Sequence, residues 1–317
     1  MSDIKISGFY DEASGDLRTQ CELIKKLGEH YLCPRVVNGK NISAYTVEEF
    51  EKDVKPVLDE YGIKFSSIGS PIGKVGLYDE EGYQAQIKKL QELVKIAKVM
   101  DCKYIRIFSF RVDKKGDYDA YFPEVVKKLR GYLDVVKGTD IVLLHENEKG
   151  IYGDVPDRVM KLYKEINDPQ FQLCFDASNY IQCDADPKQA YEMLKDYVVY
   201  YHIKDCSKEK VEVPIGHGEG NYENMIHDLV VNRHYKGFMT LEPHTGKYAV
   251  ARKTIRFLFP IAALIKIEHI NKWHKVFARV DKEMGVPKWK TVTREEIVIW
   301  QYNGLTKMIA DAEASIK

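Results

Sequence analysis

The sequence predicts an α/β fold, a (β/α)₈ barrel followed by a C-terminal helical extension. Short runs rich in β-branched, leucine and aromatic residues alternate with amphipathic helical stretches along most of the chain. Eight such runs occur within about 260 residues, which suits a closed barrel better than an open sheet. The pattern changes near residue 266, so we expect the barrel to cover residues 1–265 and the extension, part of the same domain, residues 266–317.

The eight predicted strands are each bounded by polar or glycine-containing segments. They cover residues 4–9, 31–37, 64–69, 103–109, 140–145, 171–176, 198–203 and 237–242. Most of the gaps between them are long enough to hold a crossover helix, so we expect the strands to be parallel.

Three of the gaps show the apolar spacing of one helical face, at residues 15–27, 47–61 and 86–98. Thr46 and Glu49 have the spacing of a capping box at the start of the second helix. The turn IGSPIGK at residues 68–74 matches neither a dinucleotide-binding nor a P-loop pattern, although Lys74 at its end is close enough to the rim to bind a substrate oxygen. The absence of a phosphate loop favours the barrel over an open nucleotide-binding sheet.

The extension contains two further helical stretches and all three tryptophans of the chain, Trp273, Trp289 and Trp300. Such large side chains need burial. Two interpretations are open: these residues form an exposed aromatic surface at a subunit interface, or they pack back onto the barrel.

Composition restricts the class of ligand. Lysine plus arginine equals aspartate plus glutamate at 48 each, so no net charge attracts the chain to nucleic acid or to an anionic membrane. The six cysteines show no paired spacing and are expected to be reduced thiols. Neither a signal-like N-terminal segment nor an apolar run of about 18 residues is present, so we expect a cytoplasmic protein that binds a small molecule.

Four acid or imidazole residues lie at the carboxyl ends of four successive predicted strands: Glu146, Asp176, His202 and Glu242. In a barrel these ends meet at the rim where enzymes of this architecture carry their active sites. Mixed carboxylate and imidazole ligands favour Mn²⁺, Mg²⁺, Co²⁺ or Fe²⁺ over thiolate-bound zinc. Three carboxylates leave the site net negative beside one dication, so a neutral hydroxyl and carbonyl pair of a sugar is the expected ligand. The cation would polarise the carbonyl and acidify the adjacent C–H.

These residues lie in motifs that resemble a known family. The motifs are HENEKGIYGD, CFDASNYIQC, HIKD, VPIGHGEGN and LEPH, with ISGFYDE, SSIGSPIGK and YIRIFSF nearer the N-terminus. Together they resemble the xylose isomerase-like TIM-barrel family of sugar isomerases and epimerases over about residues 1–245. The resemblance implies that Glu146, Asp176, His202 and Glu242 bind Mn²⁺ or a similar ion. It also implies that Glu146 and Glu242 exchange protons with opposite faces of a substrate carbon.

The sequence departs from the family pattern near the predicted site. Asn179 stands where members often have histidine, and it can bind substrate by hydrogen bonds but cannot shuttle protons. His145 precedes Glu146, and strand alternation would direct it to the other face unless the strand end is frayed, in which case it is a candidate catalytic base. His217 lies in the glycine-rich loop GHGEG, whose backbone freedom would allow it to close over a substrate, so it is a candidate substrate ligand. A solvent-exposed loop histidine is the equally open alternative. His244 lies two residues after Glu242 and is expected to support it.

Other polar residues lie near the predicted rim. Glu12, Arg35 and Arg111 are candidates to bind sugar hydroxyls or a carboxylate, and Lys74 to bind a substrate oxygen; Arg35 and Lys74 are included among the predicted substrate-binding residues. Lys204 and Asp205 follow His202 and are placed to orient it. For Glu12, Arg35, Arg111, Lys204 and Asp205 a structural salt bridge is the favoured interpretation.

The sequence therefore predicts a divalent-metal-dependent sugar isomerase or epimerase that forms an enediolate. The alternative shares the first steps: the resemblance includes catalytic α subunits of C-glycoside deglycosidases, lyases that act on 3-oxo-glycosides with a small β subunit. We accordingly expect a homo-oligomer or a hetero-oligomer with such a subunit. A trinuclear zinc nuclease like endonuclease IV is disfavoured by the neutral charge and few strand-end histidines. A sugar-binding module without catalysis would not need four metal ligands.

Overall fold

The computed structural model describes residues 3–244, residue 252 and residues 268–316. Its strands are β1 Lys5–Gly8, β2 Tyr31–Leu32, β3 Val36–Val37, β4 Lys40–Asn41, β5 Lys64–Phe65, β6 Tyr104–Ile107, β7 Val142–Glu146, β8 Phe171–Asp176, β9 Val198–Ile203, β10 Asp205–Cys206, β11 Glu212–Val213 and β12 Phe238–Leu241. Its α-helices are α1 Leu17–Lys26, α2 Val47–Asp53, α3 Lys55–Tyr61, α4 Glu80–Val99, α5 Tyr118–Val136, α6 Pro156–Ile166, α7 Ala177–Gln182, α8 Pro187–Leu194, α9 Tyr222–His227, α10 Glu268–Glu283 and α11 Arg294–Ala314.

Eight of these strands close into a parallel barrel. Six form one sheet in the order β1, β12, β9, β8, β7 and β6, and β2 pairs in parallel with β5. The ring is closed by backbone hydrogen bonds from Cys33 N to Gly8 O, at 3.1 Å, and from Ile68 N to Tyr104 O, at 2.9 Å. The helices between the strands cover the outside of the barrel, so the predicted (β/α)₈ fold is confirmed.

Two predicted strands are shorter than expected. The run at residues 31–37 divides at Pro34, which has no N–H to donate to a ladder. Its second part, β3, pairs in antiparallel fashion with β4 across Asn38 and Gly39, whose φ angles are 50° and 74°. Positive φ at both positions is typical of a two-residue hairpin turn. The run at residues 64–69 continues past β5 only as an isolated bridge between Ile68 and Ile105.

Side-chain alternation along the strands divides the core in two. Val142, Leu144, Cys174 and Tyr200 form a small buried cluster inside the barrel. Leu143, Leu173, Phe175 and Tyr201 belong instead to the large core between strands and helices. Because alternate residues face opposite sides, the inward positions of β7, β8 and β9 continue to Glu146, Asp176 and His202 at the rim.

The C-terminal helices pack back onto the barrel. Val298, Leu305 and Ala312 of α11 belong to the large core. Trp273 and Trp300 pack against a second cluster that includes Val276 and Val213. Trp289 differs, since 84% of its surface is exposed. Packing onto the barrel therefore accounts for two tryptophans, and a subunit interface remains a prediction for the third.

All six cysteines are free thiols, and five of them are buried. Within the described residues, we find no helix whose length and apolar character would let it cross a membrane.

Candidate metal centre

The structure brings together the four strand-end residues. Glu146 and Asp176 end β7 and β8, His202 lies one residue before the end of β9, and Glu242 directly follows β12. The register of the parallel strands sets Asp176 opposite His202. One donor atom from each of the four residues lies within 4.8 Å of the others, and each residue is at most 3% exposed. Four donors from separate strands thus face one small, buried space.

The donor atoms in this space are suited to a divalent cation. Nδ1 of His202 lies 3.0 Å from Oε1 of Glu146 and 3.1 Å from Oε2 of Glu242. That nitrogen, Oε2 of Glu242 and Oδ2 of Asp176 have no well-oriented hydrogen-bond partner among the described residues. Leaving a buried polar atom unsatisfied costs about 1–3 kcal/mol. A cation coordinated by three carboxylates and a neutral imidazole would satisfy all three atoms, so the donor set fits such an ion.

Two buried cations contact the same carboxylates. Nη1 of Arg106 donates to Oε2 of Glu146 at 3.1 Å, and Nζ of Lys204 lies 2.9 Å from Oδ2 of Asp176 and 3.9 Å from Oε2 of Glu242. Together they reduce the formal charge of the three carboxylates from −3 to −1, and a dication would bring it to +1. The three carboxylates and a dication alone still sum to −1, as expected from the sequence, and Arg106 and Lys204 offset that charge from outside the ligand set.

Arg106 is held rigidly in this position. Its Nε and Nη2 donate to the carbonyls of Ser70 and Gly69, at 3.3 and 3.1 Å. The guanidinium lies over the rings of Phe9 and Phe108, 4.9 and 5.0 Å from their centroids. Arg106 therefore fixes one oxygen of Glu146 and leaves the other directed toward His202.

These charges shift the pKa values of the cluster in opposite directions. Burial alone would raise the pKa of Glu146, but the charges of His202 and Arg106 outweigh it and lower the pKa to about 2. The pKa of Glu242 is likewise well below its usual range, since Lys204 and His244 outweigh burial. Burial dominates at Asp176 and raises its pKa to about 7, with Lys204 opposing the shift. The two glutamates are therefore carboxylates at neutral pH.

Asn179 lies beside Glu146, as expected for a residue near the site. Asp176 caps the N-terminus of α7 by accepting a hydrogen bond from Asn179 N at 2.9 Å. The Asn179 amide nitrogen donates to Asn147 O at 2.8 Å and to Oε1 of Glu146 at 3.3 Å. The cap thus directs the Asn179 side chain toward Glu146.

Arg35 and His244 lie at the open side of Glu242. Nη1 of Arg35 is 3.4 Å from Oε1 of Glu242, while its other nitrogens bond Asp11 and Glu12. Nε2 of His244 is 2.9 Å from the same oxygen of Glu242, and its side chain is 43% exposed. These two residues are therefore placed between Glu242 and solvent.

Three predicted residues are not brought into the cluster. His145 faces the outside of the barrel, where its ring stacks on Phe171 with centroids 5.7 Å apart, and burial lowers its pKa to about 4. Nδ1 of His217 pairs with Glu283 of α10 at 2.8 Å. Lys74 pairs with Glu148 at 2.8 Å. Because β7 extends through Glu146, its end is not frayed at His145 and strand alternation holds there.

Residues 21–261 match the family described as xylose isomerase-like TIM barrel. No curated protein matches the sequence. Among solved structures, a xylose isomerase-like TIM barrel protein from Mycobacterium smegmatis in complex with magnesium has 15% identity and a TM-score of 0.66, with 98% of each chain covered.

Two sugar epimerases have similar folds. L-ribulose 3-epimerase has 12% identity and a TM-score of 0.66, with 100% of this chain and 97% of that chain covered. The 3-keto-D-glucoside 4-epimerase YcjR from E. coli has 17% identity and a TM-score of 0.59, with 77% of this chain and 92% of that chain covered. Identities this low show a shared fold alone. The match to the family model, which spans most of the barrel, shows that this chain belongs to the xylose isomerase-like TIM barrel family.

Proposed function

We propose that this chain is a divalent-metal-dependent sugar isomerase or epimerase, an enzyme that moves a proton next to a sugar carbonyl. The observation that carries the proposal is the convergence of Glu146, Asp176, His202 and Glu242, whose buried donor atoms lie within 4.8 Å of one another. The fold shared with a magnesium-bound protein and with two sugar epimerases supports it.

The four residues of the cluster would hold Mn²⁺, or Mg²⁺, Co²⁺ or Fe²⁺ in its place. When bound, the cation polarises the substrate carbonyl and raises the acidity of the adjacent C–H. Arg106 and Lys204 keep Glu146 and Glu242 ionised, respectively, and add positive charge around the site. This positive charge would stabilise the negative charge that develops on a substrate oxygen as the proton leaves.

Glu146 and Glu242 are the proposed acid and base. Both approach the same nitrogen of His202, and each has its second oxygen held by a cationic side chain, Arg106 for Glu146 and His244 for Glu242. A carboxylate fixed through one oxygen is oriented to take a proton from a substrate carbon and to return it. Asn179 and Arg35, which contact these glutamates, are the proposed substrate-binding residues.

A second candidate is a lyase that acts on 3-oxo-glycosides, with a small β subunit as partner. The structural likeness to an epimerase named for a 3-keto-glucoside supports a substrate of this class. Removing the proton next to the ketone would then expel a group attached β to it. Because His145 faces the outside of the barrel, Glu146 or Glu242 would have to be the base in this reaction as well.

Proton exchange in D₂O distinguishes these functions. The Mn²⁺-loaded protein is incubated with free ketoses and, separately, with 3-oxo-glycosides, and both are followed by NMR. Deuterium entering a ketose together with a new epimer or aldose is the result expected for an isomerase or epimerase. Release of the aglycone from the 3-oxo-glycoside alone would establish the lyase. If there is neither exchange into a ketose nor release of an aglycone, both functions are refuted.

A further inference from the structure

A buried amide of the C-terminal helix α11 reaches the backbone of the candidate site. Gln301 is fully buried, and its Nε2 donates to the carbonyl of Ile203 at 2.9 Å. Its Oε1 accepts from the N–H of Ile215 at 2.9 Å. One side chain thus uses both a donor and an acceptor on two backbone segments that are 12 residues apart in sequence. Gln301 lies beyond residues 21–261, the region that matches the family.

The carbonyl of Ile203 connects two of the proposed metal ligands. Ile203 directly follows His202, and its oxygen also accepts the backbone N–H of Glu242 at 3.0 Å. In the same register, Leu241 pairs with Ile203 across β12 and β9. Gln301 therefore donates a second hydrogen bond to a carbonyl that holds the end of β9 against Glu242, the residue following β12.

Ile215 begins the glycine-rich loop, residues 215–220, which is held from both sides. On the barrel side, the carboxylate of Asp205 accepts the N–H groups of Gly216, Gly218 and Gly220 at 2.9–3.0 Å. On the outer side, His217 pairs with Glu283, and Arg279 donates to the His217 carbonyl at 2.9 Å.

Glycine at position 304 allows α11 to approach this loop closely. A Cβ atom there would lie 2.6 Å from Cγ2 of Ile215. Glycine inside a helix is unfavourable relative to alanine, so the close approach gives a packing reason for its presence. The helix, the loop and the end of β9 therefore form one tightly packed unit in which Gln301 supplies the polar contacts.

We propose that Gln301 is a positioning residue for the metal cluster, setting the backbone on which His202 and Glu242 are carried. The inference rests on the proposed function only in taking the cluster to be a divalent-cation site. Without the amide, the Ile203 carbonyl loses one partner and the Ile215 N–H is left buried without its own. The strand end then relaxes, and the 3.1 Å approach between His202 and Glu242 is no longer fixed.

The test compares Mn²⁺ binding by three variants with that of the wild type, using calorimetry. Gln301→Leu removes both hydrogen bonds, and Gln301→Glu keeps an acceptor for Ile215 while setting a carboxylate against the Ile203 carbonyl. Leu305→Ala is the control, since it lowers stability from the buried face of the same helix, and a leucine side chain has no group that could hydrogen-bond that carbonyl. We expect both Gln301 variants to bind Mn²⁺ about tenfold more weakly, as for loss of a group that orients a metal ligand. Leu305→Ala should bind as the wild type does despite a lower Tm.

Two further results would distinguish a failure of this inference from a failure of the proposed function. Mn²⁺ affinity of both Gln301 variants within twofold of the wild type would overturn the positioning role while leaving the metal site intact. If the wild type itself binds no Mn²⁺, the proposed function fails, and hydrogen exchange of the metal-free proteins decides the role of Gln301. Faster exchange at the Glu242 and Ile215 amides in Gln301→Leu, but not in Leu305→Ala, would support it, and equal exchange would refute it.

Discussion

Nη1 of Arg106 donates a hydrogen bond to Oε2 of Glu146 at 3.1 Å, although 40 residues separate them in sequence. Both side chains are buried at the barrel rim, and the other oxygen of Glu146 lies 3.0 Å from His202. A charge in such a place is stable only while its partner is present. Arg106 is therefore central to the charge balance of the candidate metal centre.

Replacing Arg106 with methionine should lower the free energy of unfolding of the metal-free protein by up to about 3–5 kcal/mol, because buried Glu146 then has His202 as its one remaining cationic contact among the described residues. Urea unfolding measures this loss. The matched control is Arg18→Met, which removes an exposed, bidentate pair with Glu60 and should change the free energy of unfolding far less, because solvent screens that pair. Similar losses in the two variants would show that the Arg106–Glu146 pair has no special role.

Glu146→Gln and His202→Ala should each abolish activity and weaken Mn²⁺ binding by more than about 100-fold, beyond the usual effect of losing a group that only orients a ligand. Circular dichroism should show that both variants keep the barrel fold. Glu148→Gln is the control, because its carboxylate pairs with Lys74. Normal turnover by metal-depleted Glu146→Gln would refute the role of the cation.

Mn²⁺ binding should release at least one proton per cation at neutral pH, since an imidazole must be neutral and a carboxyl ionised to bind metal. His202 accounts for one proton, and Asp176, whose pKa is raised to about 7, adds a fraction of another. Burial opposes the imidazolium form of His202, but Glu146 and other nearby groups outweigh it and raise its pKa well above the ordinary value. Affinity should therefore fall as the pH is lowered. Calorimetry in two buffers of different ionisation enthalpy counts the proton. Binding that releases no proton and does not vary with pH would contradict this assignment of His202.

Asp205→Ala should release the glycine-rich loop from the barrel. Its carboxylate accepts four backbone N–H groups, those of Cys206, Gly216, Gly218 and Gly220. Hydrogen bonds to a charged group contribute about 1.5–3 kcal/mol each, and burial of the charge offsets part of that sum, so we expect a net loss of about 3 kcal/mol.

Hydrogen exchange should show the effect of Asp205→Ala as faster exchange of the loop amides. Asp186→Ala serves for comparison, since it removes an exposed N-cap from α8 and should cost about 1 kcal/mol. Unchanged protection at residues 216–220 would mean that Gln301 and His217 hold the loop without Asp205.

The barrel and its four strand-end residues could be predicted because both depend on local patterns. Alternation along a strand fixes which side chains face inward, and parallel strands bring their carboxyl ends to one rim. The same alternation predicts that His145 faces the outside of the barrel, as it does in the structure. Its role as a base was expected only if the strand end were frayed. The structure continues β7 through Glu146, so no fraying occurs.

Long-range partners could not be predicted in this way. Arg106 occupies an inward-facing position of β6, as alternation along the strand predicts. Its partner Glu146, however, lies 40 residues away in sequence, and no motif links the two. The sequence made His217 a candidate to close over a substrate. In the structure it pairs instead with Glu283, 66 residues further along the chain. The roles of such residues depend on how the helices pack against the rim, which no local pattern encodes.

The most direct test of the account is the position of the cation. Crystals grown with Mn²⁺ are measured at the manganese absorption edge, and an anomalous difference map locates the ion. We predict one strong peak in the space between Glu146, Asp176, His202 and Glu242, absent from crystals of Glu146→Gln. A map without a peak there, or with its only peak elsewhere on the chain, would contradict the central claim.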